Sequence, residues 1–242
     1  MPSTALDSAR WRTAWDEVMT GFVPGLETLE AAIGTAAESV LGRPPARILD
    51  LGGGPGVITE RMAGRWPGAQ VTLIDIDPVL LAMARDGVPP SVTVLDADLS
   101  EPGWTSTAGG AHDLITAIMT VHYLRPERVR SLYRRCHQAM SPGGLLIIAD
   151  LMPDDGLPTV TSALNPAPGE AAAELAWTQW WGEAAEAFAH LMPARTEVFR
   201  HRAPANFAGT VSWHLAATRT AGFREAGLLW RHGRHAALLA LA

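Results

Sequence analysis

The chain has 242 residues, of which 48% are hydrophobic and 18% are charged, and its formal net charge is −6. This composition predicts one globular domain with an ample apolar core and excludes an intrinsically disordered chain. The negative charge disfavours nucleic acid as a partner, because nucleic-acid-binding proteins present basic surfaces. No apolar run reaches transmembrane length, so we expect no membrane partner.

Residue usage excludes several kinds of chemistry. The chain contains no lysine, which excludes a Schiff-base mechanism. Its one cysteine, Cys136, cannot form an internal disulfide, and the start of the chain lacks the pattern of a signal peptide, so we expect a cytoplasmic protein. Cysteines and histidines do not cluster at the spacing of metal ligands, so no metal is expected.

Charge is distributed unevenly along the chain. Residues 190–242 contain seven arginines and two glutamates, whereas residues 151–189 contain six acidic residues and no arginine. Two interpretations stay open: the two segments form complementary surfaces, or the arginines form a positive wall for an anionic substrate.

A glycine-rich loop follows the first predicted strand, after helices predicted at residues 13–19 and 26–41. Glycine lets backbone N–H groups approach a ligand closely, and open α/β sheets bind nucleotides at such a strand-to-helix turn. The dinucleotide pattern Gly-x-Gly-x-x-Gly fails, because Val57 and Thr59 stand where it needs glycine, and the Walker loop needs a lysine. The residues of the loop motif are Asp50, Gly52, Gly53, Gly54 and Gly56.

Acidic residues follow the next two predicted strands. The strand at residues 71–75 ends in Asp75, at the distance from the glycine loop where an acid accepts hydrogen bonds from ribose hydroxyls. Asp77 stands before a proline and is predicted to cap the following helix. The third strand, residues 91–95, is followed by Asp96 and Asp98.

A fourth strand at residues 113–118 leads to the pair His122 and Tyr123. A helix at residues 126–140, a Pro-Gly-Gly turn and an apolar strand at residues 145–150 come next. Strands that alternate with helices predict a parallel sheet with both faces covered.

Residues 46–150 resemble the class I S-adenosylmethionine (SAM) methyltransferases in the glycine loop, the acids at successive strand ends and the His122–Tyr123 pair. The resemblance implies a Rossmann-like α/β fold with a seven-stranded, mostly parallel sheet, an antiparallel C-terminal strand and helices on both faces. It also implies SAM as the cofactor, S-adenosylhomocysteine as the product, and no metal.

The resemblance assigns parts of the cofactor to particular positions. Asp75 and Ile76 correspond to the ribose site, and Asp98 with Leu99 corresponds to the adenine site, with Asp96 as the alternative acid. The expected cofactor-binding residues are Asp50, Gly52, Gly53, Gly54, Gly56, Asp75, Ile76, Asp98, Leu99 and Ala117.

We expect one methyltransferase domain over residues 1–242. Its expected parts are an N-terminal helical cap (1–45), a SAM-binding core (46–150), a helical lid or substrate insertion (151–205) and a C-terminal helix with strands that complete the sheet (206–242). In the cap, Arg10, Trp11 and Trp15 are candidates to face the cofactor, whereas periodicity alone places the two tryptophans in packing.

The lid carries three tryptophans on one face of a helix predicted from residue 170 to about residue 191. Trp177, Trp180 and Trp181 are spaced at i, i+3 and i+4, so they form either an aromatic substrate pocket or the face that docks the lid.

The C-terminal part, a helix at residues 207–221 and strands at 223–230 and 235–241, is similar to the carboxy-SAM synthase family. Ala217 stands where that family uses an arginine to hold a carboxylate. The similarity therefore implies a shared architecture and not a shared activity.

A methyl acceptor that carries a hydroxyl group needs a base, and histidine is the usual base near neutral pH. His122 is the first candidate catalytic residue and His190 the second, ahead of His214, His232 and His235. Tyr123 is expected to contact the substrate together with Trp177, Trp180 and Trp181.

These features predict a SAM-dependent methyltransferase of a small organic molecule, with oxygen favoured as the acceptor and a role in specialised metabolism. The alternative is a SAM-binding protein that does not methylate, such as a cyclase or a scaffold, and a dehydrogenase is a distant third. Expected partners are the small-molecule substrate and, as an alternative to a monomer, a second copy of the chain.

Overall fold

The computed structural model describes residues 7–163, 167–202 and 205–242, and for residues 167–170 it describes the backbone alone. One seven-stranded sheet forms the centre of the molecule. Its strands are β1 (Arg47–Leu51), β2 (Gln70–Asp75), β3 (Val92–Asp96), β4 (His112–Ile118), β5 (Met140–Leu151), β6 (Glu225–His232) and β7 (His235–Leu241).

The strand order is β3-β2-β1-β4-β5-β7-β6. Strands β1 to β5 pair in parallel, and β7 lies antiparallel to both β5 and β6. The predicted fold class is therefore confirmed. Strands β2 and β4 flank β1, so the order reverses at β1 and β4, and open α/β sheets bind their ligands at such a switch point.

Helices cover both faces of the sheet because the strands are apolar on both sides. In β1, Ile48 packs toward α2, α3 and α4, whereas Leu49 and Leu51 pack toward α5, α6 and α10. The helices are α1 (Ser8–Phe22), α2 (Leu26–Leu41), α3 (Val57–Arg65), α4 (Pro78–Gly87), α5 (Trp104–Ala108), α6 (Pro126–Ala139), α7 (Pro158–Ala163), α8 (Ala167–Ala187), α9 (Met192–Phe199) and α10 (Val211–Ala221).

Capping residues decide several helix ends that periodicity alone misplaced. Helix α1 begins at Ser8, five residues before the predicted start, because the Asp7 side chain accepts a hydrogen bond from Arg10 N. Helix α10 begins at Val211 instead of residue 207, because Thr210 caps it. Asp77 caps α4 as predicted, at 2.9 Å from Val79 N.

An aromatic cluster joins the N-terminal helix to the lid. Trp15 of α1 lies 5.0 Å from Trp177, 4.9 Å from Trp180 and 6.4 Å from Trp181, measured between ring centroids. Trp180 is buried, and its ring also meets Trp11 edge to face at 5.7 Å. The three lid tryptophans therefore form the face that docks α8 on α1.

Replacing Trp180 with Ala tests how far this cluster holds the lid. The substitution removes the most buried of the three rings, and we expect the free energy of unfolding to fall by about 3 kcal/mol. Leu175→Ala on the same helix is the control, because Leu175 is 73% exposed and its loss costs within about 0.5 kcal/mol. Urea unfolding followed by far-ultraviolet circular dichroism measures both, and equal effects would contradict the docking role.

Candidate functional site

The glycine loop between β1 and α3 has a backbone that few other residues could adopt. Gly52, Gly54 and Gly56 have φ angles of +68°, +56° and +81°. A Cβ atom on Gly52 would lie 2.4 Å from the Thr120 side chain. Glycine is therefore required at this position both for the backbone conformation and for the close approach of the neighbouring segment.

Asp50 lies in β1 just before the loop and connects this strand to α3 and β4. Its carboxylate accepts hydrogen bonds from Thr59 Oγ1 of α3 at 2.6 Å and from Thr116 Oγ1 of β4 at 2.9 Å. Burial raises the pKa of Asp50, and the two hydroxyl donors oppose that effect. The sequence suggested Asp50 as a cofactor ligand, but its side chain is buried and engaged by these threonines, so we correct its role to positioning the loop.

Asp75 lies at the end of β2 beside the loop. Its Oδ2 accepts a hydrogen bond from Gly54 N at 2.8 Å, and its Oδ1 accepts from Ile76 N at 2.7 Å and from Asp77 N at 2.9 Å. Burial raises the pKa of Asp75 to about 6, although these three N–H donors favour the ionised form. The carboxylate is thus fixed in direction at the edge where parallel strands end.

Asp98 follows β3 at the same edge. Its Oδ1 accepts from Ser100 N at 2.8 Å, and its Oδ2 accepts from Arg202 at 2.5 Å. Partial burial would raise the pKa of Asp98, but the bonds from Ser100 and Arg202 outweigh it and lower the pKa. Asp96, the alternative acid, is exposed.

Two arginines of the lid reach the ends of β2 and β3. Arg195 of α9 donates to Asp77 Oδ2 at 2.7 Å, and its guanidinium lies 3.8 Å from the ring centroid of Trp181. Arg202, just after α9, pairs with Asp98. Both of these acidic partners lie outside residues 151–189, so the two pairs do not join the acidic segment to the basic one. An ion pair that does join the two segments is Arg231 with Asp154, at 3.5 Å.

His122 and Asp150 form a pair at the ends of β4 and β5. His122 Nδ1 lies 2.8 Å from Asp150 Oδ1, and the His122 backbone N–H donates to Asp150 Oδ2 at 3.2 Å. Asp150 is 2% exposed, whereas the His122 side chain is 16% exposed. A buried carboxylate on Nδ1 selects the tautomer whose Nε2 accepts a proton.

Tyr123 stands beside this pair. Its ring centroid lies 4.0 Å from that of His122, and its residue is 51% exposed. Burial of part of the side chain, followed by the negative charges of Asp150 and Asp75, raises the pKa of Tyr123 to about 12. The hydroxyl therefore keeps its proton at neutral pH and can donate a hydrogen bond.

The other candidate histidines occupy different environments. His190 is exposed in the turn between α8 and α9. His214 is buried, its Nδ1 lies 2.6 Å from Tyr133 Oη, and burial lowers its pKa to about 4. His232 is exposed and its ring stacks on that of Trp230, whereas His235 is buried. His214 is therefore a neutral core residue.

At the end of β4, one expected cofactor-binding residue, Ala117, is not placed as expected. Ala117 is fully buried, so its side chain cannot line the cofactor site as expected. The partly exposed residues there are Ile118 and Met119. Met119 has a φ angle of +52°, which is rare for a residue with a side chain, and its N–H donates to Ala149 O at 2.8 Å.

Among the residues that the structure describes, no group of three His, Cys, Asp or Glu side chains could hold a metal ion. In the same part of the chain, no helix combines the length and the apolar character that crossing a membrane requires.

The groups at this edge of the sheet fit an adenosine-containing cofactor. A loop with three left-handed glycines, an oriented carboxylate after β2 and a second one after β3 lie along the carboxyl edge of the sheet. Ribose hydroxyls and an exocyclic amine are donors. Of the four lone-pair sites of a carboxylate, Asp75 uses three for backbone N–H groups and Asp98 uses two for Ser100 and Arg202, so each can still accept a hydrogen bond.

Comparison with known proteins agrees with this geometry. The family model described as "Methyltransferase domain" matches residues 48–144. A trans-aconitate 2-methyltransferase of Delftia acidovorans is 30% identical over 207 residues, which are 81% of this chain and 73% of that protein. A carboxy-S-adenosyl-L-methionine synthase of Chromohalobacter salexigens is 30% identical over 137 residues, which are 55% of this chain and 50% of that protein. The chain spans about half the length of two of the curated relatives that it matches.

A solved structure of an O-methyltransferase family protein from Burkholderia thailandensis has the same fold. It superimposes with a TM-score of 0.64 over 98% of this chain and 60% of that one, at 18% identity. The sheet order, the site at its carboxyl edge and these relatives lead to one conclusion: the chain belongs to the class I SAM-dependent methyltransferases.

Proposed function

We propose that this protein transfers a methyl group from SAM to an oxygen atom of a small organic molecule, with His122 as the general base. The observation that carries this proposal is the 2.8 Å pair between His122 and the buried Asp150 at the carboxyl ends of β4 and β5, next to the switch point of the sheet. A carboxylate-oriented imidazole at a ligand-binding edge is the arrangement that removes a proton from an acceptor hydroxyl.

The cofactor is held by the loop and the strand-end acids. Asp75 accepts a hydrogen bond from a ribose hydroxyl through the free lone pair of Oδ2, and Asp98 accepts one from the adenine amino group while Leu99 provides a backbone N–H. When bound, SAM supplies a sulfonium methyl group that is open to in-line attack. Asp98 keeps Arg202 as a neighbour, because each carboxylate oxygen has a second lone pair.

The chain's own residues position the acceptor and take up its proton. Asp150 holds His122 with Nε2 as the accepting atom, and a positioned base of this kind contributes about 10²- to 10⁴-fold in rate. Tyr123 remains protonated and donates a hydrogen bond to the acceptor molecule. Most of the remaining catalysis is the alignment of the nucleophile with the methyl group.

The relatives' names and this pair support the choice of acceptor class. Relatives named trans-aconitate 2-methyltransferase make small carboxylic and hydroxy acids the first acceptors to screen. A carboxylate is already deprotonated at neutral pH and needs no base, whereas a hydroxyl does. The His122–Asp150 pair favours the hydroxyl.

Carboxy-SAM synthesis is the second candidate, since such a synthase is among the relatives. Ala217 argues against it, because this residue lies on the buried face of α10, in the apolar core, and offers no charge to hold a carboxylate.

Mass spectrometry of the nucleosides released by denaturing freshly purified protein tests the cofactor first. We expect SAM or S-adenosylhomocysteine at near-stoichiometric amounts, or tight binding of added SAM if the purified protein releases neither. Carboxylated SAM would replace the methyltransferase proposal with the synthase, and a nicotinamide dinucleotide would overturn both.

Replacing Asp75 with Asn tests the ribose contact. Charged hydrogen bonds contribute about 1.5–3 kcal/mol, so we expect SAM affinity to fall about 10- to 100-fold by isothermal titration calorimetry. Because the pKa of Asp75 is raised to about 6, wild-type affinity should fall as the pH drops below 6, when the carboxylate becomes protonated. The Asn variant should lack this dependence, and unchanged affinity in that variant would remove Asp75 from the site.

Replacing His122 with Gln separates a hydroxyl acceptor from a carboxylate acceptor. With a hydroxyl acceptor we expect kcat to fall about 10²- to 10⁴-fold. Asp150→Asn should weaken activity in the same direction, whereas His232→Gln, a change of an exposed histidine, should not.

His190→Gln examines the second histidine. If His190→Gln loses activity while His122→Gln keeps it, the base is misassigned. An active His122→Gln enzyme on a carboxylic acid would mean that the reaction needs no base.

A further inference from the structure

Arg12 is a buried arginine on α1 that contacts the glycine loop. It is 7% exposed. Its Nε donates to Pro55 O at 2.9 Å, and its Nη2 donates to Gly56 O at 3.1 Å. Nη1 donates to Gly87 O at the end of α4, at 2.7 Å. The sequence analysis named Arg10, Trp11 and Trp15 of α1 as candidates, whereas Arg12 is the residue whose side chain donates hydrogen bonds to the loop.

One edge of the guanidinium holds two successive carbonyl groups, and this fixes two peptide planes. In a trans peptide the C=O and the N–H point in opposite directions. With the Pro55 carbonyl turned to Arg12, the Gly56 N–H points away and donates to Gly53 O at 3.0 Å, which closes the turn. With the Gly56 carbonyl turned to Arg12, the Val57 N–H at the start of α3 also points away from Arg12.

No side chain caps α3 at its start, because Gly56 occupies the N-cap position. The direction of the first N–H groups of α3 therefore depends on contacts from outside the loop. Glycine peptides have wide conformational freedom, so the loop needs such contacts to keep a single shape. Arg12 supplies two of them from α1.

The charge of Arg12 is compensated at the same place. Nη2 lies 2.6 Å from Glu60 Oε2 in the first turn of α3. This carboxylate offsets the unfavourable position of a cation beside the positive end of a helix. The planar guanidinium thus donates to four acceptors, two in the loop, one at the end of α4 and one on α3. The single ammonium group of a lysine cannot reproduce that geometry.

Helix α1 meets the glycine loop at a second point. The Trp15 ring lies 3.5 Å from the position that a Cβ on Gly54 would take. Trp15 also belongs to the aromatic cluster that docks the lid helix α8. The same helix thus connects the loop to the lid.

We infer that Arg12 is a positioning residue of the SAM site, which holds the glycine loop in its cofactor-binding shape through the Pro55 and Gly56 carbonyls. This inference rests on the proposed function. Arg12 acts on cofactor affinity and not on the methyl-transfer step, because its contacts are to the backbone of the loop, to α4 and to Glu60.

The test uses Arg12→Gln and Arg12→Lys with Ser8→Ala as the matched control. Ser8 also anchors α1, because its hydroxyl donates a 2.5 Å hydrogen bond to Asp86, which lies outside the loop. We expect Arg12→Gln to raise the Kd for SAM, measured by calorimetry, and the KM for SAM at least tenfold. At saturating SAM, kcat should stay within twofold of wild type. Arg12→Lys should give a Kd between those of the wild type and Arg12→Gln, and Ser8→Ala should keep a wild-type Kd.

The split between KM and kcat separates positioning from general stability, which would lower the folded fraction and therefore kcat. Thermal unfolding checks that each variant is folded, and if Arg12→Gln is not, Arg12→Lys decides, with a Kd at least threefold above wild type expected. The inference is overturned by a Kd within twofold of wild type in the folded variants, or by an equal loss in Ser8→Ala. A wild-type protein that binds no SAM would instead defeat the proposed function itself.

Discussion

A glycine loop can recognise a ligand through its backbone only while that backbone is held in one shape. Ordering glycine costs more conformational entropy than ordering any other residue, so neighbouring groups must fix it. Here Asp50 joins β1, which leads into the loop, to α3, which follows it, through Thr59, and to β4 through Thr116, while Arg12 donates hydrogen bonds to two carbonyls of the loop. Asp75, at the end of β2, lies directly against this loop because it accepts the Gly54 N–H.

The site concentrates carboxylates at one edge of the sheet, and each is stabilised differently. Asp50 is satisfied by hydroxyl groups, and Asp75 by three backbone N–H groups. Asp98 has an arginine, and Asp150 has a histidine. Burial raises the pKa of Asp75, while the arginine contributes to a lowered pKa at Asp98. The two carboxyl groups therefore lose their charge in different pH ranges.

The lid takes part in this electrostatic balance as well as in packing. Its aromatic face docks on α1, and Arg195 and Arg202 at its C-terminal side pair with Asp77 and Asp98. Helix α1 therefore contacts both the glycine loop and the lid. This connection gives a physical route by which the segment expected to choose the substrate and the loop expected to hold the cofactor influence each other.

Local patterns were sufficient to predict the order of the seven strands and of the longer helices, the glycine loop, the Asp77 cap and the acids at the strand ends, because each depends on residues close together in the chain. They missed the short helices α5, α7 and α9. They could not reveal that Asp150 would orient His122, that Arg12 would reach Pro55 across 43 positions, or that Ala117 would be buried. They also left open whether the lid tryptophans face a substrate or another helix. Those outcomes depend on contacts between distant segments, and only the packing of α1 and the lid against the sheet brings the partners together.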